Sequence, residues 1–413
     1  MGLFQRLNGS AAALLEYSKN VPVIDTHEHI PGSEKAYNER VIRFGDLFNP
    51  YVSNDLNSAG MRFPEGSKPA FYCIGDDWDA FEPYWQVCKH GSYARALRIA
   101  LKEFYGVDDF SRDNYLEIVA KINERNTPGI YTRVLRKACG IERAVRCADD
   151  LPAPDDSILV GNIASPSRRV SCMAHMERMC EDVEASEIKC LDELIEVSGR
   201  WMEMQVSLGA MEFKSMAVPV EIPDRTAAEE VLGQVLSGEV LSEADASPLI
   251  AYVREADARK AAELDVPLAL HTGVWEDYRQ LDVNHLVGFV KRNPKTRMDI
   301  YHLGIPEVRS AVQVVKNFPN AYLNLCWAHI VAPDMVVNTM KEAMDLVPLN
   351  KVFAFGGDYI LFIEKVYGHL HMARENIALI LGDRVDRDLM DLSDAEQVLR
   401  AWFYDNPKTF YRL

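Results

Sequence analysis

From about residue 140 to the C-terminus, short runs of β-branched and aromatic residues alternate with longer stretches of helical period, a rhythm that few architectures accommodate. The runs expected as strands are 21–25, 141–146, 169–173, 210–217, 266–271, 297–302, 321–326 and 352–356. Between the later runs, the helical stretches 306–317 and 333–346 open on proline, whose missing N–H is no loss in a first helical turn. The returns K-N-F-P-N and V-P-L-N are brief, as in repeated βα units. Eight such units close into a (β/α)8 TIM barrel, which needs roughly 250 residues.

The chain has 413 residues, so the surplus must lie outside the repeat. It falls at 31–130, between the first and second strands, where Trp78, Phe81, Tyr84 and Trp85 cluster and the segments 92–105 and 113–126 have helical period. An insertion leaving the C-terminal end of the first strand folds over the barrel mouth. The expected division is therefore 1–30 for an N-terminal helix and the first strand, 31–130 for a mostly helical insertion or lid, and 131–413 for the rest of the barrel. A smaller excursion is expected at 221–247, after the fourth strand.

Charge narrows the class of partner. With 45 Lys+Arg against 62 Asp+Glu, a net charge of −17 argues against nucleic acid and anionic membrane, both of which select basic surface. A small-molecule substrate is the expected partner, with a homo-oligomer left open. The eight cysteines form no C-x-x-C pair, and most sit in apolar segments as small hydrophobes, which points to a reducing compartment. The N-terminal apolar run is too short for a secretory signal and no stretch is long enough to span a bilayer, so a cytoplasmic protein is expected.

Barrel chemistry gathers at strand C-termini. The first strand ends V-P-V-I-D-T-H-E-H, the fifth ends at His271, the sixth at His302, and the eighth in G-G-D at Asp358. In extended chain, residues two apart point the same way, so His27 and His29 can offer ring nitrogens to one ion. Asp358 adds an oxygen and His271 a further nitrogen. That set suits a divalent metal, Zn2+ first, with Mn2+ or Fe2+ also fitting. The second His-x-His, His369 and His371, lies in a helical stretch where residues two apart diverge by about 200°, so packing or surface roles are expected there. In A-M-E-F-K-S-M-A, Glu212, Lys214 and Met216 share one face. A lysine inside a barrel is costly unless it is carbamylated and bridges two metals, grips a substrate carboxylate, or pairs with Glu212 on the helix side. Trp327 and His329 follow the seventh strand and are expected near the mouth.

The ordered set His27-Glu-His29, Lys214, His271, His302 and Asp358 resembles the amidohydrolase superfamily, and F-Y-D-N-P-K-T-F at 403–410 resembles the terminal segment of its amidohydrolase-related branch. The stretches R-A-L-R-I-A-L-K-E-F-Y-G-V and Y-T-R-V-L-R-K-A-C-G-I-E-R are similar to the uronate-isomerase-related and decarboxylase-related members. The resemblance implies that His27, His29 and Asp358 bind the metal, that His271 completes the sphere, and that His302 orients or polarises a substrate carbonyl. It also implies Asp358 as the general base, with Lys214 a further catalytic candidate. The implied activity is a hydrolase using a metal-activated water on a small, carboxylate-bearing substrate. The alternative is a uronate isomerase or metal-dependent decarboxylase, and a third possibility is a non-catalytic barrel. Arg374, Arg62, Arg43 and Lys214 are the candidates for holding the carboxylate.

Overall fold

The computed structural model describes residues 3–65, 67, 72, 74–153, 157–220, 222–274 and 277–413. Cys73 and Glu221 lie outside the described residues. Eight parallel strands pair in sequence order: β1 Val23–Glu28, β2 Ile141–Ala148, β3 Leu159–Ala164, β4 Ala210–Met216, β5 Leu268–His271, β6 Met298–Ile300, β7 Ala321–Asn324 and β8 Val352–Phe353. Backbone bonds from Thr26 N to Phe355 O (3.0 Å), Asp358 N to His27 O (2.7 Å) and His29 N to Tyr359 O (3.0 Å) join the last strand to the first. The expected TIM barrel is therefore closed, with a long, mostly helical insertion after β1.

The expected third strand at 169–173 is wrong. Residues 169–172 are a turn leading into the helix Met173–Asp182, and the true strand is Leu159–Ala164. Gly161 and Asn162 interrupt the β-branched run that would have marked it, and each has a packing reason. A Cβ on Gly161 would sit 2.3 Å from the Leu151 side chain, while Asn162 donates to Glu212 at 2.6 Å. β1 also runs further than expected, through Glu28, so that His27 lies within the strand.

The bottom of the barrel is plugged by the chain's last helix, Asn406–Tyr411. Phe410 and Tyr411 pack on Ile24, Val145 and Phe353, and the Tyr411 hydroxyl donates to Asp299 inside the barrel. Asn406 fixes the plug by donating to the carbonyls of Leu349 (2.8 Å) and Val352 (3.0 Å) at the start of β8. No helix among the described residues is long and apolar enough to cross a membrane.

The insertion builds a second core. Its helices Val52–Ser58, Trp78–Cys88, Ser92–Tyr105 and Tyr115–Arg125 enclose Phe44, Phe48, Trp78, Phe81, Trp85 and Phe110, and Phe362 from the segment after β8 joins the same cluster. The Phe81 ring lies 4.9 Å from Phe44 and 4.6 Å from Phe48, within the range where aromatic pairs add to area burial. Phe81→Ala is expected to cost about 3–5 kcal/mol. Val240→Ser, at a side chain 98% exposed, should stay within about 0.5 kcal/mol. Urea unfolding of both variants checks this, and equal midpoints would show that the aromatic cluster adds nothing to stability.

Candidate metal centre and active site

The C-terminal ends of β1 and β8 meet closely. A Cβ on Gly356 would fall 2.4 Å from Cys326 Cβ, and one on Gly357 would fall 1.8 Å from Glu28 Oε1, so only glycine lets the approach to Asp358 pass here. Two buried carboxyls stitch the seam. Asp25 accepts from the N–H groups of His27 (3.2 Å) and Gly357 (3.1 Å), and Glu28 accepts from Tyr359 N (2.8 Å). Burial pushes both carboxyls up from their usual range, and a hydrogen bond joins them. His302, Trp327 and Asp358 all have positive φ, at 69°, 61° and 59°. Such backbone is sparse for residues other than glycine and collects at functional sites.

The turn after β8 brings Asp358 Oδ1 to 3.3 Å from His27 Nε2 and 3.4 Å from His29 Nε2. These separations exceed the roughly 2.7–3.2 Å of an N–H···O hydrogen bond. They match instead the edge of a tetrahedron, since donors about 2.1 Å from a shared ion lie about 3.4 Å apart. Burial lowers the pKa of both imidazoles, leaving them neutral with lone pairs to give. One donor atom each from His27, His302 and Asp358 lie within 4.8 Å of one another, as do one each from His27, His29 and Cys147. This donor set fits a divalent ion.

The tautomers of the next two histidines follow from their partners. His302 Nδ1 faces the Cys326 carbonyl at 3.1 Å, and a carbonyl only accepts, so Nδ1 carries the proton. His302 Nε2 is then an acceptor, and His271 Nδ1, 3.1 Å away, must donate to it. Burial keeps both rings neutral, with His302 lowered to about 3. His271 Nε2 is thereby left with a bare lone pair, buried and without a hydrogen-bond partner. His271 thus keeps a free lone pair at the cavity wall, while His302 is the ring whose donor atom lies with those of His27 and Asp358.

Around these groups lies a cavity of about 390 Å³, lined also by Tyr51, Arg168, Lys214, Met216, Glu243 and Trp327. Lys214 points into the barrel, 3.3 Å from His27 Nε2 and 3.9 Å above the Tyr301 ring, and burial lowers its pKa. The Glu212 pair expected on the helix side is absent: Glu212 is inside the barrel, accepting from Asn162 and from the Tyr301 hydroxyl at 2.9 Å. Tyr51 comes from the insertion. Its hydroxyl donates to the Asp358 carbonyl and its ring stacks on Trp327, centroids 4.8 Å apart.

Arg168 is the residue the sequence reading missed. The turn Pro166–Arg168 after β3 is held by a buried chain in which Ser165, Ser167 and Ser215 hydroxyls lie 2.7 and 2.9 Å apart and Ser167 N donates to Asp257 at 2.8 Å. This clamp sets the half-buried Arg168 toward the cavity, while its neighbour Arg169 turns away to Asp149 and the Trp201 ring. The signal that could have found it was the strand end itself, hidden by the misplaced third strand. Of the carboxylate-holding candidates, Arg43 and Arg62 are exposed outside the cavity lining, and Arg374 donates to Cys139 O at the far end of the barrel. Lys214 alone of the four lines the cavity. His329 turns away from it to Ala354 O and Asn376, and the rings of His369 and His371 diverge to Gly357 O and Glu375.

Residues 211–413, from β4 to the C-terminus, match the family model described as Amidohydrolase. Over its whole length the fold is similar to a uronate isomerase of Thermotoga maritima, with a TM-score of 0.79, 16% identity and coverage of 99% of this chain and 98% of that one. A glucuronate isomerase of Caulobacter crescentus gives a TM-score of 0.79 at 17% identity, covering 99% and 96%. Among curated proteins, Protein fluG of Emericella nidulans is 24% identical over 160 residues, 38% of this chain, and the aligned part spans 18% of that protein. The family match falls on the part of the barrel that carries His271, His302 and Asp358, and His27 and His29 meet Asp358 from the part before it, so that residues 211–413 are similar to the amidohydrolase family.

Proposed function

We propose that the chain is a metal-dependent isomerase of a sugar acid of the uronate type. The observation that carries this reading is that Arg168 and Lys214 line the same cavity as His27, His29 and Asp358, so that a carboxylate and a carbonyl of one small substrate can be held at once. The likeness to two uronate isomerases over 99% of the chain, insertion included, supports it. His27, His29 and Asp358 would hold a divalent ion, with His271 on the wall of the same cavity; zinc is favoured by this nitrogen-rich set. When bound, such an ion supplies Lewis-acid polarisation of a carbonyl or hydroxyl oxygen.

The chain's own residues do the rest. Arg168 offers a planar fork of donors that matches a carboxylate, and Lys214 adds a point charge on the neighbouring strand. Isomerisation moves one proton between adjacent carbons and one between their oxygens, with no atom gained or lost. Asp358, a carboxylate at the cavity wall, is the group that takes and returns the carbon-bound proton. His302 acts through His271 by fixing its tautomer. Tyr51 and Trp327 narrow the mouth and keep water from the reacting carbons. A hydrolase acting on a small polar substrate is the second reading, favoured by the match to the Amidohydrolase model over 211–413.

A panel of uronates, with sugar lactones and N-acyl amino acids beside them, separates the two readings by product. Conversion of a uronate to its ketose isomer is expected, and hydrolysis alone would overturn the isomerase. His27→Ala and Asp358→Asn should each lower turnover at least about 100-fold together with metal content, while circular dichroism stays unchanged. Retention of full activity by either variant removes the assigned centre. Arg168→Met should raise KM for the acid about tenfold or more, because a charge-assisted hydrogen bond is lost, with a smaller change in kcat. Asp257→Ala, which leaves the cavity lining intact but frees the turn, should raise KM in the same direction without loss of metal. An unchanged KM in both would show that Arg168 does not bind the substrate.

A further inference from the structure

β2 ends beside β1, and its side chains alternate between the barrel interior and the helix layer. Val145 lies in the interior plug with Ile24 and Phe353, so Cys147, two residues on, points into the same interior one layer higher. It is 3% exposed, and its sulfur lies within 4.8 Å of ring nitrogens of His27 and His29. The Cys147 carbonyl accepts a hydrogen bond from the His29 ring, so the residue both orients one imidazole and presents sulfur beside it. Its sequence character, an apolar strand residue, gives no hint of this. Among the described cysteines it is the one that falls in such a donor group, whereas Cys190 is exposed.

We propose that Cys147 is a thiolate donor to the ion held by His27 and His29, making the centre selective for thiophilic divalent ions such as zinc, cobalt(II) and cadmium over manganese and magnesium. The inference rests on the metal reading of the site and deepens it. On binding, the S–H bond breaks, its proton passes to solvent, and a sulfur–metal bond forms with no change of oxidation state. Soft sulfur ligands favour zinc-like ions, while manganese and magnesium favour oxygen.

Cobalt(II) loading of the full chain tests this by absorption. Visible d–d bands report that cobalt occupies the nitrogen and oxygen donors, and a near-ultraviolet thiolate-to-cobalt charge-transfer band reports sulfur. Wild type should show both, Cys147→Ser only the d–d bands, and Cys190→Ser both. Competition between zinc and manganese should lose about tenfold or more of its zinc preference in Cys147→Ser. Cys147→Ala reads the same loss of sulfur if the serine variant does not fold. Cobalt bound with d–d bands but no charge-transfer band in wild type, or a band that persists without the Cys147 sulfur, overturns the thiolate alone. Absence of bound cobalt overturns the metal centre and this inference with it.

Discussion

The site depends on the seam where the barrel closes. Of the three convergent donors one sits on β1, one just past its end and the third just past β8, so their separation is set by how closely those backbones approach. The approach is possible because residues 356 and 357 have no Cβ, and it is held by Asp25 and Glu28, which gather backbone N–H groups from both sides. Carboxyls so deeply buried are costly unless they are protonated or bonded; here both are hydrogen-bonded, and burial pushes both up from their usual range. Positive φ at Asp358 completes the turn that aims its side chain back at the histidines.

Below that seam the barrel interior is polar in layers. Phe410 and Tyr411 seal the bottom; above them Asp299 accepts on one carboxyl oxygen from Tyr411 and Asn324, and Glu212 on one from Asn162 and Tyr301. The Tyr301 ring then separates this acidic layer from Lys214 and His27, whose polar atoms face the cavity. Lys214 thus has carboxyls beneath it and ring nitrogens beside it, without a direct ion pair among the described residues.

Most of the architecture was legible because short runs rich in β-branched and aromatic residues recur at the spacing of βα units, and seven of the eight expected strands overlap observed ones. β3 was lost because Gly161 and Asn162 answer to tertiary contacts, a close Leu151 and a bond to Glu212, that no local pattern encodes. His27, His29, His271, His302 and Asp358 were picked from position alone, at or near strand ends, and the fold brings donor atoms of His27, His29, His302 and Asp358 close together. Arg168 could not, since it follows the misplaced strand and is oriented by Asp257, 89 residues further along a different helix. Neither could Cys147, because thiols in apolar strands ordinarily pack as hydrophobes and only the closed barrel brings this one to the histidines.

The Tyr51 hydroxyl ties the insertion to the main-chain oxygen of Asp358, and Phe362 ties the same loop into the insertion's aromatic core. The carboxylate at the centre is therefore suspended between two separately packed bodies. Sequence drift among aromatic residues far from any reacting atom can retune the reach of that carboxylate, so the catalytic character of such a chain is written partly in a core that never meets its substrate.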